Sequence, residues 1–395
     1  MDIIEKTKNG VLIYGTTSCG EALLQMCIEK EIQVVGYCDD NSMKFGNEFK
    51  GHTVVSFMEY AERYPEVPVL VGIISAGLVL RKLKKMGRKE VFLCHEVLKG
   101  VNVDDYEYTR GSVYGLMEVR NAINTHERLM RKDYFFVNNL DFVITERCSL
   151  RCQECSNLMQ YYKAPVNFEV DELLEDLHLF LRYVSEINEL RIIGGEPFMH
   201  PSLAYIINAV ATEKKIKKVS IFSNGTIMPN EEQWKSLEND KVILVYTDYG
   251  IKTSRRMEDI LSVIEAKNIN CNYIKSGNWQ KCSRIAYYGR NDVQLRDVFE
   301  ECCAKSLYTL LKGRVYCCPF LANAENLGVI SVREDEVFDI RKHLDDIPKG
   351  QEAIRKLFYE KDFFSGCNYC PGRPFSGEEC PPAVQAKAVI PLPVF

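Results

Sequence analysis

The stretch I-T-E-R-C-S-L-R-C-Q-E-C-S, residues 144–156, ends an apolar, strand-like run in three cysteines, Cys148, Cys152 and Cys155. Three thiolates on one short loop can hold three irons of a [4Fe–4S] cluster and leave the fourth iron open, where a ferredoxin site uses four cysteines. The alternatives are a structural zinc site with a distant fourth ligand, or plain buried thiols, although zinc sites more often present paired C-x-x-C knuckles. The chain carries 16 cysteines but only six histidines, none inside a cysteine group, and this favours all-thiolate sites over mixed ones.

The compartment bears on that reading. The start, M-D-I-I-E-K, lacks the basic stretch and apolar core of a secretory signal. The longest apolar run, Val67 to Leu80, is interrupted by Pro68, Gly72 and Gly77 and falls short of the roughly 18 residues a membrane helix needs. A cytoplasmic, membrane-free location is expected, where thiols are metal ligands or catalytic groups more often than disulfides. Lys and Arg number 50 against 55 Asp and Glu, a net charge of −5, so no positive excess is available for a phosphate backbone and nucleic acid is not an expected partner.

Outward from the loop, strand and helix patterns alternate. Strands are expected at Asp141 to Thr145, Glu189 to Ile193, Lys218 to Phe222, Lys241 to Thr247 and Asn270 to Ile274. Helices are expected at Val170 to Glu186, Ser202 to Thr212, Glu231 to Leu237 and Ser254 to Ala266. Such a series makes an α/β barrel or part of one. Gly194-Gly195-Glu196-Pro197 closes the second strand, where the glycines expose backbone and Glu196 can receive a cationic amine. Ser223-Asn224-Gly225-Thr226 follows the third strand, and Asp248, in Y-T-D-Y-G, follows the fourth.

At this point the chain, from about Phe135 to Ala383, resembles the radical S-adenosylmethionine superfamily, and within it the branch with a SPASM or shortened Twitch extension. The resemblance implies that Cys148, Cys152 and Cys155 hold a [4Fe–4S] cluster with one open iron. It also implies that Gly194, Gly195, Glu196 and Pro197 bind the methionine part of S-adenosylmethionine, with Ser223, Asn224 and Asp248 nearby. The expected chemistry is reductive cleavage of that cofactor to a 5′-deoxyadenosyl radical, which takes a hydrogen atom from an unactivated C–H. Glu154 departs from the family pattern, in which an aromatic residue before the third cysteine packs on adenine. No side-chain base is named by the motifs, and a reductant such as flavodoxin or ferredoxin is an expected partner.

Further along, C-C pairs at Cys302/Cys303 and Cys317/Cys318 precede Cys367 and Cys370 in C-N-Y-C, with Cys380 after them. Nine residues separate Cys303 from Gly313 and four more separate Gly313 from Cys318, resembling the opening of the SPASM pattern. Cys303, Cys318, Cys367 and Cys370 are thus the expected ligands of one auxiliary [4Fe–4S] cluster. Cys302 can stand in for Cys303 and Cys317 for Cys318, Cys380 is unassigned, and a zinc ribbon is the alternative.

The N-terminal 100 residues show a similar alternation: V-L-I-Y at Val11, Gly15-Thr-Thr-Ser-Cys-Gly20, a helix over Glu21 to Glu29, and a strand from Val34 ending in Cys38, Asp39 and Asp40. Strands at Val69 to Ile74 and Val91 to Leu93 follow. Gly15 and Gly20 hold the outer positions of a dinucleotide fingerprint whose middle glycine is Thr17, and Asp39 and Asp40 stand where a ribose-binding acid belongs. Residues 10 to 98 resemble the N-terminal domain of bacterial acyltransferases that modify nucleotide-linked amino sugars, without their catalytic repeat domain. The expected organisation is an α/β chain with a Rossmann-like domain over 1–100, a helical linker over 101–134, a partial (β/α)6 radical SAM barrel over 135–290 and a small iron–sulfur domain over 291–395. The expected substrate is a small polar molecule that is oxidised or epimerised, and the N-terminal resemblance suggests a nucleotide-linked or amino sugar. In an epimerase Cys271, Cys282 or Cys380 would donate hydrogen. A peptide-modifying maturase and a non-catalytic electron-transfer module are the competing readings.

Overall fold

Val11 and Ile13 pack into one apolar core and Leu12 and Tyr14 into another, because successive side chains of a strand point to opposite faces. A strand buried on both faces belongs to a parallel sheet covered by helices on each side. The computed structural model, which describes residues 6–7, 9–109, 111–131 and 134–395, builds that sheet from β1 (Val11–Tyr14), β2 (Val34–Cys38), β3 (Glu48–Phe49), β4 (His52–Val55), β5 (Val69–Val71) and β6 (Val91–Leu93). Their order is β3-β4-β2-β1-β5-β6, all parallel except the β3–β4 hairpin. The parallel strands therefore run outward in both directions from β1, the doubly wound order. The helix Ser18–Glu29 lies close on β1, since a Cβ on Gly20 would stand 2.1 Å from the Gly15 carbonyl oxygen.

The segment 101–134, expected as a linker, is part of this unit. Val103, Tyr106, Tyr108, Val119 and Ala122 are buried in the core with Leu116 and Ile123 against it, a helical stripe on Ser112–Leu129. The same stripe carries the fully buried His126, whose Nδ1 accepts from the Cys94 backbone N–H at 3.2 Å and whose Nε2 lies 2.6 Å from the Ile73 carbonyl. The first unit thus spans Met1–Phe135, and Phe136–Phe395 forms a second.

In the second unit β7 (Phe136–Thr145), β8 (Glu186–Gly194), β9 (Ile216–Ser223), β10 (Val242–Asp248) and β11 (Cys271–Lys275) are parallel neighbours in chain order, with helices Val170–Leu181, Leu203–Thr212, Glu231–Leu237 and Met257–Ala266 between them. Strand β7 begins five residues before the expected start. Its polar Asn138 pairs with Asn188 of β8 at 3.1 Å, so side-chain hydrogen bonds replace the apolar signal there. After β12 (Trp279–Gln280), β13 (Thr309–Leu311) adds to the other edge of β7, again parallel, and β14 (Arg314–Tyr316) and β15 (Phe338–Asp339) continue antiparallel. The sixth parallel strand therefore flanks β7 rather than β11. Region 291–395, expected as a separate domain, extends the same eight-stranded sheet and covers an edge that would expose unpaired backbone. Lys312 and Gly313, both with positive φ, make the tight β13–β14 turn. β16 (Glu379–Cys380) pairs with β12. Among the described residues no helix is long and apolar enough to cross a membrane.

Candidate active site

Parallel strands in register bring their C-terminal ends to one edge of the sheet, the usual place for a ligand in α/β folds. The cysteine loop follows β7, Gly194 ends β8, Ser223 ends β9 and Thr247 lies at the end of β10, and all of them line one cavity of about 190 Å³. Cys148, Cys152 and Cys155 open on it as free thiols. Burial raises all three, Cys152 to about 12, so a bound positive centre is needed to hold them as thiolates.

The loop is held by three separate segments. Gly195 N–H donates to the Thr145 carbonyl at 2.9 Å and Glu196 N–H to the Arg147 carbonyl at 2.8 Å. This contact requires glycine, because a Cβ on Gly195 would sit 2.1 Å from the Arg147 oxygen and 2.9 Å from Cys148 Cβ. Asn224 donates from Nδ2 to Ser149 Oγ at 3.2 Å and reaches Cys148 Sγ at 3.6 Å. The C-terminal tail, where the sequence offers only a low-complexity pattern, pairs with the loop: Gln153 N–H donates to Val384 O, Ala386 N–H to Arg151 O, and Gln385 Nε2 to Cys152 Sγ at 3.3 Å.

Three expected binding residues, Glu196, Pro197 and Asp248, do not line the cavity. Glu196 is fully buried outside the cavity wall, its carboxylate accepting from the backbone N–H groups of Asn224 at 2.8 Å and Phe198 at 3.2 Å. Burial raises it to about 7 against these hydrogen bonds. It joins the end of β8 to the end of β9, while Pro197, also buried, starts a short 3-10 turn. Asp248 faces away as well, accepting from Gly250 N–H at 2.6 Å and the Tyr273 hydroxyl at 2.6 Å. Its neighbours Thr247 and Tyr249 line the cavity instead, as alternation of side chains at a strand end dictates.

Tyr249 and Trp279 supply aromatic surface that the triad loop lacks, their rings edge-to-face with centroids 5.5 Å apart. Glu154, the departure from the family pattern, accepts from Cys282 N–H at 3.0 Å, Ser283 N–H at 3.1 Å and Ser283 Oγ at 3.0 Å, so it fixes the loop that follows Trp279. Tyr249 stands beside Asp248 in Y-T-D-Y-G, whereas Trp279 belongs to no motif. Trp279 reaches the cavity only because β12 pairs with β16.

The second cysteine set brings together Cys318, Cys367 and Cys370 with Cys302, the expected alternative to Cys303. Burial and then the neighbouring Cys318 raise Cys302 to about 12. Cys367 and Cys370 are raised by burial and again by both Cys302 and Cys318. Cys302, Cys318, Cys367 and Cys370 therefore lie near one another, with Cys317 raised by the same neighbours and Cys303 acting on Cys302, while Cys303 Sγ lies 4.0 Å from Gln280 Oε1 on the cavity side. An antiparallel bridge pairs Cys302 with Pro374. Arg290, unmarked by any motif, holds the Cys367–Cys370 turn through the carbonyls of Cys367 at 2.6 Å and Cys370 at 2.7 Å. Cys317 is buried beside Cys318, Cys380 lies in β16, and Cys271 lies in β11. Cys282 alone of the three expected hydrogen donors lines the cavity. No three His, Cys, Asp or Glu side chains among the described residues converge on a single ion. A four-iron cube meets each thiolate at a different iron, so its ligands need not share one point.

The first unit has its own cavity, about 290 Å³, lined by Thr16, Thr17, Ser18, Glu21, Lys44 and Phe49 among others. The four expected ligand residues do not line it. Gly15 and Gly20 pack β1 against its helix. Asp39 accepts from Thr16 Oγ1 at 2.5 Å and Lys44 at 2.8 Å, and Asp40 from the Tyr14 hydroxyl at 2.6 Å and Lys82 at 3.0 Å.

Residues 142–266 match the Radical SAM superfamily. Among curated proteins, the chain is 23% identical over 249 residues to GTP 3′,8-cyclase of Campylobacter jejuni (strain RM1221), covering 58% of this chain and 72% of that protein. It is 36% identical over 89 residues to GTP 3′,8-cyclase of Stenotrophomonas maltophilia (strain K279a), covering 22% of this chain and 26% of that one. Among solved structures, BtrN in complex with AdoMet and 2-DOIA aligns with a TM-score of 0.40 at 16% identity, covering 60% of this chain and 93% of BtrN. Streptococcus suis SuiB bound to precursor peptide SuiA aligns at 0.34 and 13% identity, covering 74% of this chain and 82% of SuiB. The chain carries a radical SAM domain, of a superfamily whose members use a [4Fe–4S] cluster and S-adenosylmethionine.

Proposed function

From the radical SAM domain at residues 142–266 we propose that Cys148, Cys152 and Cys155 hold the cluster with the open iron, and that the cavity they line receives S-adenosylmethionine and a small polar substrate. The glycine strap and the free thiols fit such a group, since the wall beside Cys148 carries no side chain at Gly194 or Gly195. When bound, these cofactors supply a 5′-deoxyadenosyl radical able to remove a hydrogen atom from carbon. The chain's own residues orient and enclose. Asn224 and Gly195 fix Cys148, and Tyr249 with Trp279 offers the apolar surface that an adenine ring needs.

We further propose a second cluster on Cys302, Cys318, Cys367 and Cys370, and a net two-electron oxidation of a nucleotide-linked or amino sugar. The observation that carries this reading is the cavity's wall: Cys282, Gln280 and Arg373 come from the segments beside the second cysteine set, so a substrate there lies between the two sets. The curated relatives are named for GTP, a phosphate-bearing substrate. The N-terminal unit is read as a Rossmann-like module, with a nucleotide sugar as its candidate ligand. Epimerisation is the second reading, favoured by Cys282, the one thiol of the cavity outside the triad.

Anaerobic incubation of reconstituted protein with reductant, S-adenosylmethionine and a panel of nucleotide and amino sugars separates the two. Oxidation gives deoxyadenosine and a product lighter by two hydrogens. A product of unchanged mass carrying one deuterium from heavy water means epimerisation, and loss of that product in Cys282→Ala would identify the donor. Absence of deoxyadenosine with every substrate would remove the enzymatic reading altogether.

A further inference from the structure

Arg373 is the one Lys or Arg among the side chains that line the active-site cavity. Its backbone belongs to the second cysteine set: the Arg373 carbonyl accepts from Cys303 N–H at 2.9 Å, and the adjacent Pro374 bridges Cys302. Its side chain reaches toward the triad. It lines the cavity with Cys148, Cys152, Cys155 and Cys282, so the residue joins the backbone of the second set to the cavity of the first.

The guanidinium is under-used there. Arg373 Nε is buried with no hydrogen-bond partner among the described residues. The cavity's one lining carboxylate, Glu154, is engaged by Cys282 N–H, Ser283 N–H and Ser283 Oγ. A guanidinium presents five N–H donors in a planar fork matched to carboxylate and phosphate, and a buried donor left unpaired is costly. An oxyanion arriving in the cavity would satisfy both the charge and the donor.

We infer that Arg373 is the anion anchor of the substrate: its fork grips a phosphoryl or carboxylate group of a molecule lying between Cys155 and Cys302. The inference rests on the proposed reading of the cavity and adds the substrate's charge class and the residue that selects it. An anchored anion fixes one end of the substrate, so only carbons within reach of the triad side can react. Arg373 acts here by positioning and takes no proton.

The test uses the full chain with both cysteine sets reconstituted and S-adenosylmethionine at saturation. Pyrophosphate and malonate are titrated calorimetrically as separate probes, which distinguishes a phosphoryl from a carboxylate preference. At least one should bind the unaltered protein. Arg373→Gln should weaken it by about tenfold or more, and Arg373→Lys, which keeps the charge but loses the fork, by less. Iron content and affinity for S-adenosylmethionine should not change in either variant. The anchor is overturned if neither probe binds the unaltered protein, if Arg373→Gln binds the probe as well as before, or if its affinity for S-adenosylmethionine falls instead, which would assign the arginine to the cofactor's carboxylate. Should Arg373→Gln fail to take up iron, Arg373→Lys with full iron decides by the same comparison. Deoxyadenosine formation by the unaltered protein tests the underlying reading separately, so the anchor can fail while the radical reading stands.

Discussion

The two cysteine sets of the second unit are built in opposite ways. Cys148, Cys152 and Cys155 lie within eight residues of chain, and their backbone is clamped from outside by the β8 glycines, Asn224 and the C-terminal tail. Cys302, Cys318, Cys367 and Cys370 come from three distant segments, tied by the Cys302 bridge to Pro374, the β13–β14 hairpin and the Arg290 contacts. Three thiolates leave one iron of a four-iron cluster without a protein ligand, whereas four thiolates can close it.

The largest test of that contrast removes the local set. Changing Cys148, Cys152 and Cys155 together to Ala should abolish deoxyadenosine formation and leave about half the iron of the fully reconstituted protein, as two four-iron clusters require. Iron analysis and anaerobic turnover measure both, and complete loss of iron would show that the two sets are not independent. Within the distant set, Cys302→Ala should lose the second cluster's iron while Cys303→Ala keeps it. The reverse result would restore the ligand expected from SPASM spacing.

Smaller effects concern the clamp. Gly195→Ala places a methyl against the Arg147 carbonyl and should destabilise the protein by about 1–3 kcal/mol in denaturant unfolding, with weaker binding of S-adenosylmethionine. An unchanged midpoint would mean the loop yields freely. The smallest is a pH effect in cluster-free protein. Burial holds Glu196 at about 7, above its unfolded range, so the folded state binds the proton more tightly. Its contribution to stability is therefore greatest below the unfolded value near 4.3, declines as pH rises to about 7, and is level above that. Glu196→Gln should remove about 1–3 kcal/mol of this slope between pH 4.5 and 8. An identical slope in both proteins would assign it to another group, such as Asp141, which burial raises to about 6.

Much of the site was legible because its signals are local. The order of Cys148, Gly194, Ser223 and Thr247 on successive strand ends follows from strand-helix alternation and parallel register, and the structure places all four on one cavity. What the sequence did not show is how side chains are directed across the fold. Glu196 and Asp248 have the expected positions in the chain, but their side chains turn away from the cavity, one into a backbone cage and the other onto Gly250 and Tyr273. Asp39 and Asp40 stand at the end of β2 as expected, yet Lys44 and Lys82 already occupy them. The Lys312-Gly313 turn between two short apolar runs was a readable hairpin signal, whereas the pairing of β13 with β7 had none, because an edge is filled by whatever segment the tertiary fold delivers.

The sequence by itself determined the cysteine loop, the glycines that lie on it and the parallel sheet that carries both, since each depends on spacing within a few residues or on a repeating apolar period. Only the tertiary structure decided that Cys302 approaches Cys367 and Cys370, that Tyr249 and Trp279 line the cavity with aromatic surface, and that Arg373 lines the same cavity. Those are relations between side chains far apart in the chain, and neither composition nor spacing encodes which way a side chain turns when such segments meet.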